Sequence, residues 1–193
     1  MAGGTRPERG NLTVPNILTI GRILLTPAFV LAFLDERYGL AWLIFAIAGV
    51  SDGLDGFLAK KLDQRTRLGA MLDPLADKAL LVTAFVCLAW RGLAPTWLAV
   101  LVVSRDTIIV GGLAVLRFAG VAVEEHIRPV PASKLNTLCQ IFLVFLLLTD
   151  RTLGLGLSVL PGLLTVLVAT LTAVSCIQYV VIGVRLLPPE RGE

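Results

Sequence analysis

The stretch SDGLDGFLAKKLDQRTRLGAMLDPLADKA, residues 51–79, decides how this chain is read. It gathers five aspartates, three lysines and two arginines, yet apolar tracts run on both sides of it. Four of the carboxylates, Asp52, Asp55, Asp73 and Asp77, stand at the edges of those hydrophobic segments. Whether they are surface decoration or a site depends on what surrounds them.

The 193-residue chain is 56% hydrophobic and only 16% charged, with a mean hydropathy of +0.84. A soluble domain carries about 25% charged residues, so lipid is the expected solvent for most of this chain. The net charge is +3, from 17 basic and 14 acidic residues. A nucleic-acid binder would gather such an excess into a stripe on a soluble fold. Here the charges sit between apolar runs, which points to an anionic membrane face and away from nucleic acid. Cys87, Cys139 and Cys176 lie inside apolar stretches and read as small buried hydrophobes. His126 is the single histidine, so no Cys/His zinc set is expected. Residues 1–16 stay polar for too long to resemble a cleaved signal peptide.

Six apolar segments stand out, at 15–34, 38–59, 70–90, 94–118, 135–149 and 158–184. A span needs about 20 residues, and hydrocarbon tolerates no unpaired backbone, so each segment is expected to be a transmembrane helix. The fifth is short and is expected to begin within SKLNT, residues 133–137. The stretches DERYG, WRGLAPT and DRTLGLG supply Gly, Pro or charge where turns are wanted. Lysine and arginine concentrate at the N-terminus, in the 60–78 and 117–134 regions and in the C-terminal tail. The opposite loops carry only Arg37, Arg91 and Arg151. The positive-inside rule therefore puts both termini in the cytoplasm, and Arg22 and Arg105 remain within spans.

In that topology the second helix ends, and the third begins, at one membrane face, so both acidic pairs share one depth. Asp52 and Asp55 are three residues apart, Asp73 and Asp77 four, and either spacing puts both carboxylates on one helical face. Acids at a helix N-terminus are common, which accounts for Asp73 but not for Asp52 and Asp55 near a C-terminal end. Four facing carboxylates repel unless cations or protons neutralise them. Two Mg²⁺ or Mn²⁺ ions would do so and would orient a phosphate. Gly53 and Gly56 leave room for a bulky ligand, or serve close helix packing. A divalent-cation transporter would also want acidic helices, but with ligands near mid-membrane and a path to the other face.

The segment resembles the signature of the CDP-alcohol phosphatidyltransferases, D-x2-D-G-x2-A-R-x8-G-x3-D-x3-D. Asp52, Asp55, Gly56, Ala59, Gly69, Asp73 and Asp77 all match it, and the one departure is Lys60 where the family has arginine. Lysine keeps the charge and loses the planar fork. VPNILTIGRILLTP, residues 14–27, is similar to the family's first span, with Asn16, Thr19 and Arg22 in place. The resemblance implies an all-α integral membrane protein, six transmembrane helices around a cytoplasm-facing polar cavity, working as a homodimer. The catalytic domain would cover 15–186, with cytoplasmic segments at 1–14 and 187–193, in the inner (plasma) membrane. It further implies that Asp52, Asp55, Asp73 and Asp77 hold two metal ions, with Gly53, Gly56, Ala59, Lys60 and Gly69 around the cytidine nucleotide. Asp77 would be the general base, and CDP-diacylglycerol the donor.

The acceptor is read from fewer positions. SRD at 104–106 and SKLNT at 133–137 look closer to the CMP-forming cardiolipin synthases, whose acceptor is phosphatidylglycerol. The enzymes that use glycerol 3-phosphate, and make phosphatidylglycerol phosphate, more often carry glutamate after the arginine and lysine at the place of Asn136. Arg105 is either a cavity-facing phosphate contact or the partner of an internal ion pair with Asp106. Lys134 is a second candidate contact, and Ser133 a helix cap. The phospholipase-D type of cardiolipin synthase needs paired His-x-Lys motifs, and a lone His126 followed by Ile-Arg excludes it.

Overall fold

The computed structural model describes residues 14–62, 67–118 and 131–186, with side chains described for 21–51, 78–112 and 131–184. Six helices make up the described chain: α1 (Val14–Leu34), α2 (Tyr38–Leu62), α3 (Arg67–Trp90), α4 (Thr96–Phe118), α5 (Pro131–Leu153) and α6 (Val159–Leu186). The fold is all-α. Residues 1–13, the 119–130 connection with His126 and Arg128, and the 187–193 tail lie outside the described residues.

The helices form three hairpins, α1–α2, α3–α4 and α5–α6. Each turn is tight because a residue in the left-handed region reverses the chain. Gly92 (φ 68°) closes α3, with its N–H bonded to the Ala89 carbonyl and Leu93 N–H to Leu88. This is the paired-bond stop that satisfies the last carbonyls of a helix. Gly154 (φ 63°) closes α5. Glu36 (φ 61°) does the same for α1 without being glycine, and its carboxylate receives the Arg91 guanidinium at 2.9 Å. Arg91 also donates to the Leu34 carbonyl at 2.8 Å, and Arg151 lies 5.2 Å over the Tyr38 ring. These cross-links put all three turns at one end of the bundle.

Helix α1 packs on α2 and α3, α2 on α5, α3 on α4 and α5, and α6 on both α4 and α5. The core is apolar near the turn end. Phe29 stacks on Phe33 at 5.9 Å, Phe45 tilts against Phe29 at 6.1 Å, and Tyr38 meets Phe33 edge-on at 5.4 Å. Leu88, Leu98, Leu143 and Leu148 complete it and are fully buried. Trp42 donates its indole N–H to Thr149 at 2.8 Å, which pins α2 to α5. Pro27 inside α1 removes one backbone donor. One turn earlier in the chain, the Arg22 carbonyl accepts the Thr26 hydroxyl at 3.1 Å.

The outside is as apolar as the inside. Trp90 is 82% exposed and Val159 74%, while Arg105, Asp106, Asn136, Gln140, Thr172 and Ser175 are buried. That inversion fits a lipid-facing exterior, where exposed apolar surface costs nothing. Among the described residues, two helices are long and apolar enough to cross a membrane, Pro131–Leu153 and Val159–Val184. Shorter apolar runs occupy Gly21–Leu34, Tyr38–Ser51 and Lys78–Trp90.

The turns fall where Gly, Pro and charge placed them. The fifth helix is the correction: it starts at Pro131, before SKLNT, and runs to Leu153. Proline is favoured in the first turn, where no N–H partner is needed, and Gly154 rather than Asp150 stops the helix.

Lipid tails are about as apolar as a protein core, so burial here is held mainly by packing. Phe29→Ala is therefore expected to cost roughly 3 kcal/mol, the low end for buried Phe deletions. Leu163→Ala on the exposed face of α6 is expected to cost almost nothing. Thermal unfolding of both variants in detergent checks the contrast.

Candidate functional site

Away from the turns, the bundle interior turns polar. A cavity of about 270 Å³ opens there, lined by Arg22 of α1, Phe45, Ala48 and Gly49 of α2, Lys78, Leu80 and Leu81 of α3, Asp106 of α4, and Thr137 and Ile141 of α5. Five helices contribute, each presenting one to three residues at this level. Gly49 lies open, with nothing within 4 Å of where a Cβ would stand.

The walls carry charge that hydrocarbon would reject. Arg22 is 3% exposed and Asp106 6%. Asp106 Oδ1 accepts two cations: the Lys78 ammonium at 2.7 Å and the Arg105 guanidinium at 2.5 Å. Behind this pair, Arg105 Nη2 donates to Ser133 Oγ on α5 at 2.5 Å and to Ser175 Oγ on α6 at 2.7 Å. One guanidinium therefore ties α4 to α5 and α6, and its carboxylate partner ties α4 to α3. The polar seam continues between α5 and α6, where Thr172 donates to Asn136 Oδ1 at 3.1 Å. Gln140 reaches the same hydroxyl at 3.5 Å, a weak contact at that length.

The sequence-predicted residues divide into two groups. Arg22 lines the cavity, and Arg105 lies directly behind it, 2% exposed and paired with Asp106. Lys134 is exposed near the start of α5. Asp52, Gly53, Asp55, Gly56, Ala59 and Lys60 belong to α2, and Gly69, Asp73 and Asp77 to α3, but their side chains lie outside the described residues. The chain nevertheless locates them relative to the cavity. Gly49 precedes Asp52 by less than one turn of α2, and Lys78 follows Asp77 directly in α3. The acidic motif therefore continues both helices from the cavity wall.

As a donor set, four carboxylates offer only hard oxygen ligands, which suits Mg²⁺ or Mn²⁺. Among the described residues no group of three or more potential ligands assembles, and the four aspartates are not in that set.

Two features were not singled out from sequence as parts of a site. Lys78 counted only toward topology, although a lysine directly after Asp77 on an apolar helix was a visible signal. Ser175 gave none, because its role depends on the register of α6 against α4. Ser133, read as a cap, instead receives Arg105.

A helical bundle with an apolar exterior and an ionic, cavity-bearing interior is consistent with an α-helical membrane protein. The comparison with known families makes this specific. Residues 12–177 match the CDP-alcohol phosphatidyltransferase family, and the chain belongs to it. It is 29% identical over 206 aligned residues to the Rattus norvegicus protein named cardiolipin synthase (CMP-forming), covering 100% of this chain and 68% of that one. It is 32% identical over 181 residues to the Homo sapiens protein of the same name, covering 86% and 60%. A putative cardiolipin synthase of Mycobacterium tuberculosis is 40% identical over 114 residues, covering 58% and 54%. Against a fusion protein of Schizosaccharomyces pombe that joins cardiolipin synthase (CMP-forming) to a mitochondrial hydrolase, identity is 32%, with 90% of this chain and 32% of that one covered. The matches thus span between about a third and two thirds of these relatives' own lengths.

Removing one partner of a buried ion pair strands the other. Asp106→Ala is expected to destabilise the protein by roughly 3–5 kcal/mol. Arg105→Met combined with Asp106→Leu should cost clearly less, since apolar replacement of a whole pair is often neutral. Melting temperatures of the single and double variants in detergent check the order.

Proposed function

We propose that the protein transfers the phosphatidyl group of CDP-diacylglycerol to phosphatidylglycerol, forming cardiolipin and CMP. The observation that carries this reading is the cavity itself, whose cationic wall runs directly into the two helices of the Asp52–Asp77 motif. The choice of acceptor rests on similarity to proteins named CMP-forming cardiolipin synthases. A cavity of about 270 Å³ suits a headgroup rather than a whole phospholipid. Both diacylglycerol moieties would stay in the bilayer while only their phosphates enter.

In this reading residues 15–186 form one catalytic domain of six transmembrane helices, with both termini cytoplasmic, acting as a homodimer in the inner membrane. Gly53, Gly56, Ala59 and Gly69 leave space for the cytidine nucleotide, and Lys60 steadies its phosphate. Arg22 and Lys134 supply positive charge toward the anionic substrates, while Arg105 acts from behind the wall through Asp106. Asp52, Asp55, Asp73 and Asp77 would hold two Mg²⁺ or Mn²⁺ ions, whose charge, when bound, favours the oxygens entering and leaving phosphorus. Asp77 takes the proton from the acceptor hydroxyl. That oxygen forms its bond to the β-phosphorus of CDP-diacylglycerol, the bond from this phosphorus to the bridging oxygen breaks, and CMP leaves.

The test is an acceptor swap. Purified protein is given CDP-diacylglycerol, Mg²⁺ or Mn²⁺, and either phosphatidylglycerol or glycerol 3-phosphate, and the product is identified by mass spectrometry. Cardiolipin is the expected product; phosphatidylglycerol phosphate alone would replace the assigned acceptor. Asp77→Ala is expected to lower CMP release by at least 10³-fold while still inserting, in keeping with the loss of a general base and a metal ligand. Normal turnover by that variant would remove Asp77 from the mechanism.

A further inference from the structure

The contact of Lys78 with Asp106 ties α3 to α4, but Asp106 does not need it for neutralisation. Arg105 alone already neutralises Asp106 at 2.5 Å and holds it with help from Ser133 and Ser175. The Lys78 ammonium at 2.7 Å is thus a second cation on the same carboxylate oxygen. Taken together, Arg105, Asp106 and Lys78 carry one net positive charge. Asp106 is the sole acid among the described lining residues. A purely structural pair would gain little from this arrangement, because burying charge costs more than it returns unless every charge is matched. The Lys78 side chain is about a third exposed (33%), whereas that of Asp106 is 8% exposed. The ammonium is thus held by a buried carboxylate, on a side chain that lines the cavity and stays partly open. An ammonium has three N–H donors, and Asp106 accepts one of them.

We propose that Lys78 binds a phosphate oxygen of a phospholipid substrate in the cavity, and that Asp106, anchored by Arg105, is the positioning residue that aims it. This deepens the transferase reading above and rests on it for the identity of the substrates. Asp77 precedes Lys78 by one residue, so both belong to the same level of α3. Two phosphates meet the chemistry equally: the diphosphate of CDP-diacylglycerol and the phosphodiester of phosphatidylglycerol.

Lys78→Gln removes the charge while Arg105 still satisfies Asp106, so folding is expected to survive with the melting temperature nearly unchanged. Losing a charge-assisted bond should raise the KM for one of the two substrates by about tenfold to a hundredfold, with kcat changed far less. Lys78→Arg should recover most of that loss. Asp106→Asn should raise the KM for the same substrate, and the double variant should be no worse than the more affected single one, because both act through one contact. Asp106→Asn is expected to lower the melting temperature in either case, but a purely structural Asp106 would leave both KM values alone. Varying each substrate separately tells which phosphate Lys78 holds. Equilibrium binding of CDP-diacylglycerol and of phosphatidylglycerol to micelle-embedded protein separates this proposal from the transferase reading. If the wild type binds but transfers to neither acceptor, the transferase reading fails and Lys78 is judged on binding alone. If Lys78→Gln binds both lipids as tightly as the wild type, the proposal for Lys78 is overturned. Multiplicative losses in the double variant would overturn the role of Asp106.

Discussion

The buried contact between Arg105 and Asp106 is the constraint around which the polar half of this bundle is arranged. An unpaired guanidinium in hydrocarbon would be very costly, so the neighbouring helices must each supply an oxygen to it. Asp106 does so from the same helix, Ser133 from α5 and Ser175 from α6. Small hydroxyl residues let α5 and α6 approach close enough to reach. The cavity exists because the charge cluster, the open Gly49 and the short Ala48 leave space that the aromatic layer nearer the turns does not.

The two halves of the bundle therefore obey different rules. Near the turns, Phe29, Phe33 and Phe45 interlock and almost any well-fitting apolar set would serve. At the cavity, the identity of each group matters, since a buried charge needs an oppositely charged partner. This division matches what the family's chemistry asks: an inert scaffold in lipid and a charged recess where phosphates can be handled.

The helices were legible in sequence because lipid demands long apolar runs and glycine marks where they stop. Gly92 and Gly154 are examples of the second signal, while Glu36 shows a left-handed stop that glycine counting misses. The start of α5 was misplaced because hydropathy weighs Ser133 and Lys134 as polar ends, while the backbone obeys Pro131. The acidic residues stand out by their three- and four-residue intervals, which define a helical face, and their side chains lie outside the described residues. The partnership of Arg105 with Asp106 was one of two readings left open. What the sequence did not reveal were pairings across distant helices, such as Lys78 with Asp106 or Asn136 with Thr172, which depend on rotation and register.

The three cross-linked turns have a mechanical consequence. Each hairpin is closed at the end opposite the cavity, and Lys78 stands twelve residues from Trp90, roughly 18 Å along α3 by helical rise. Over such an arm, a tilt of about 5° at the turn displaces the cavity wall by roughly 1.6 Å, half the length of a hydrogen bond. For such a tilt the turns would be the fulcrums, with the Arg105 cluster holding the far end of the lever. A latch made of a few charge-assisted bonds can set the width of the cavity with far greater leverage than any contact beside the pivot.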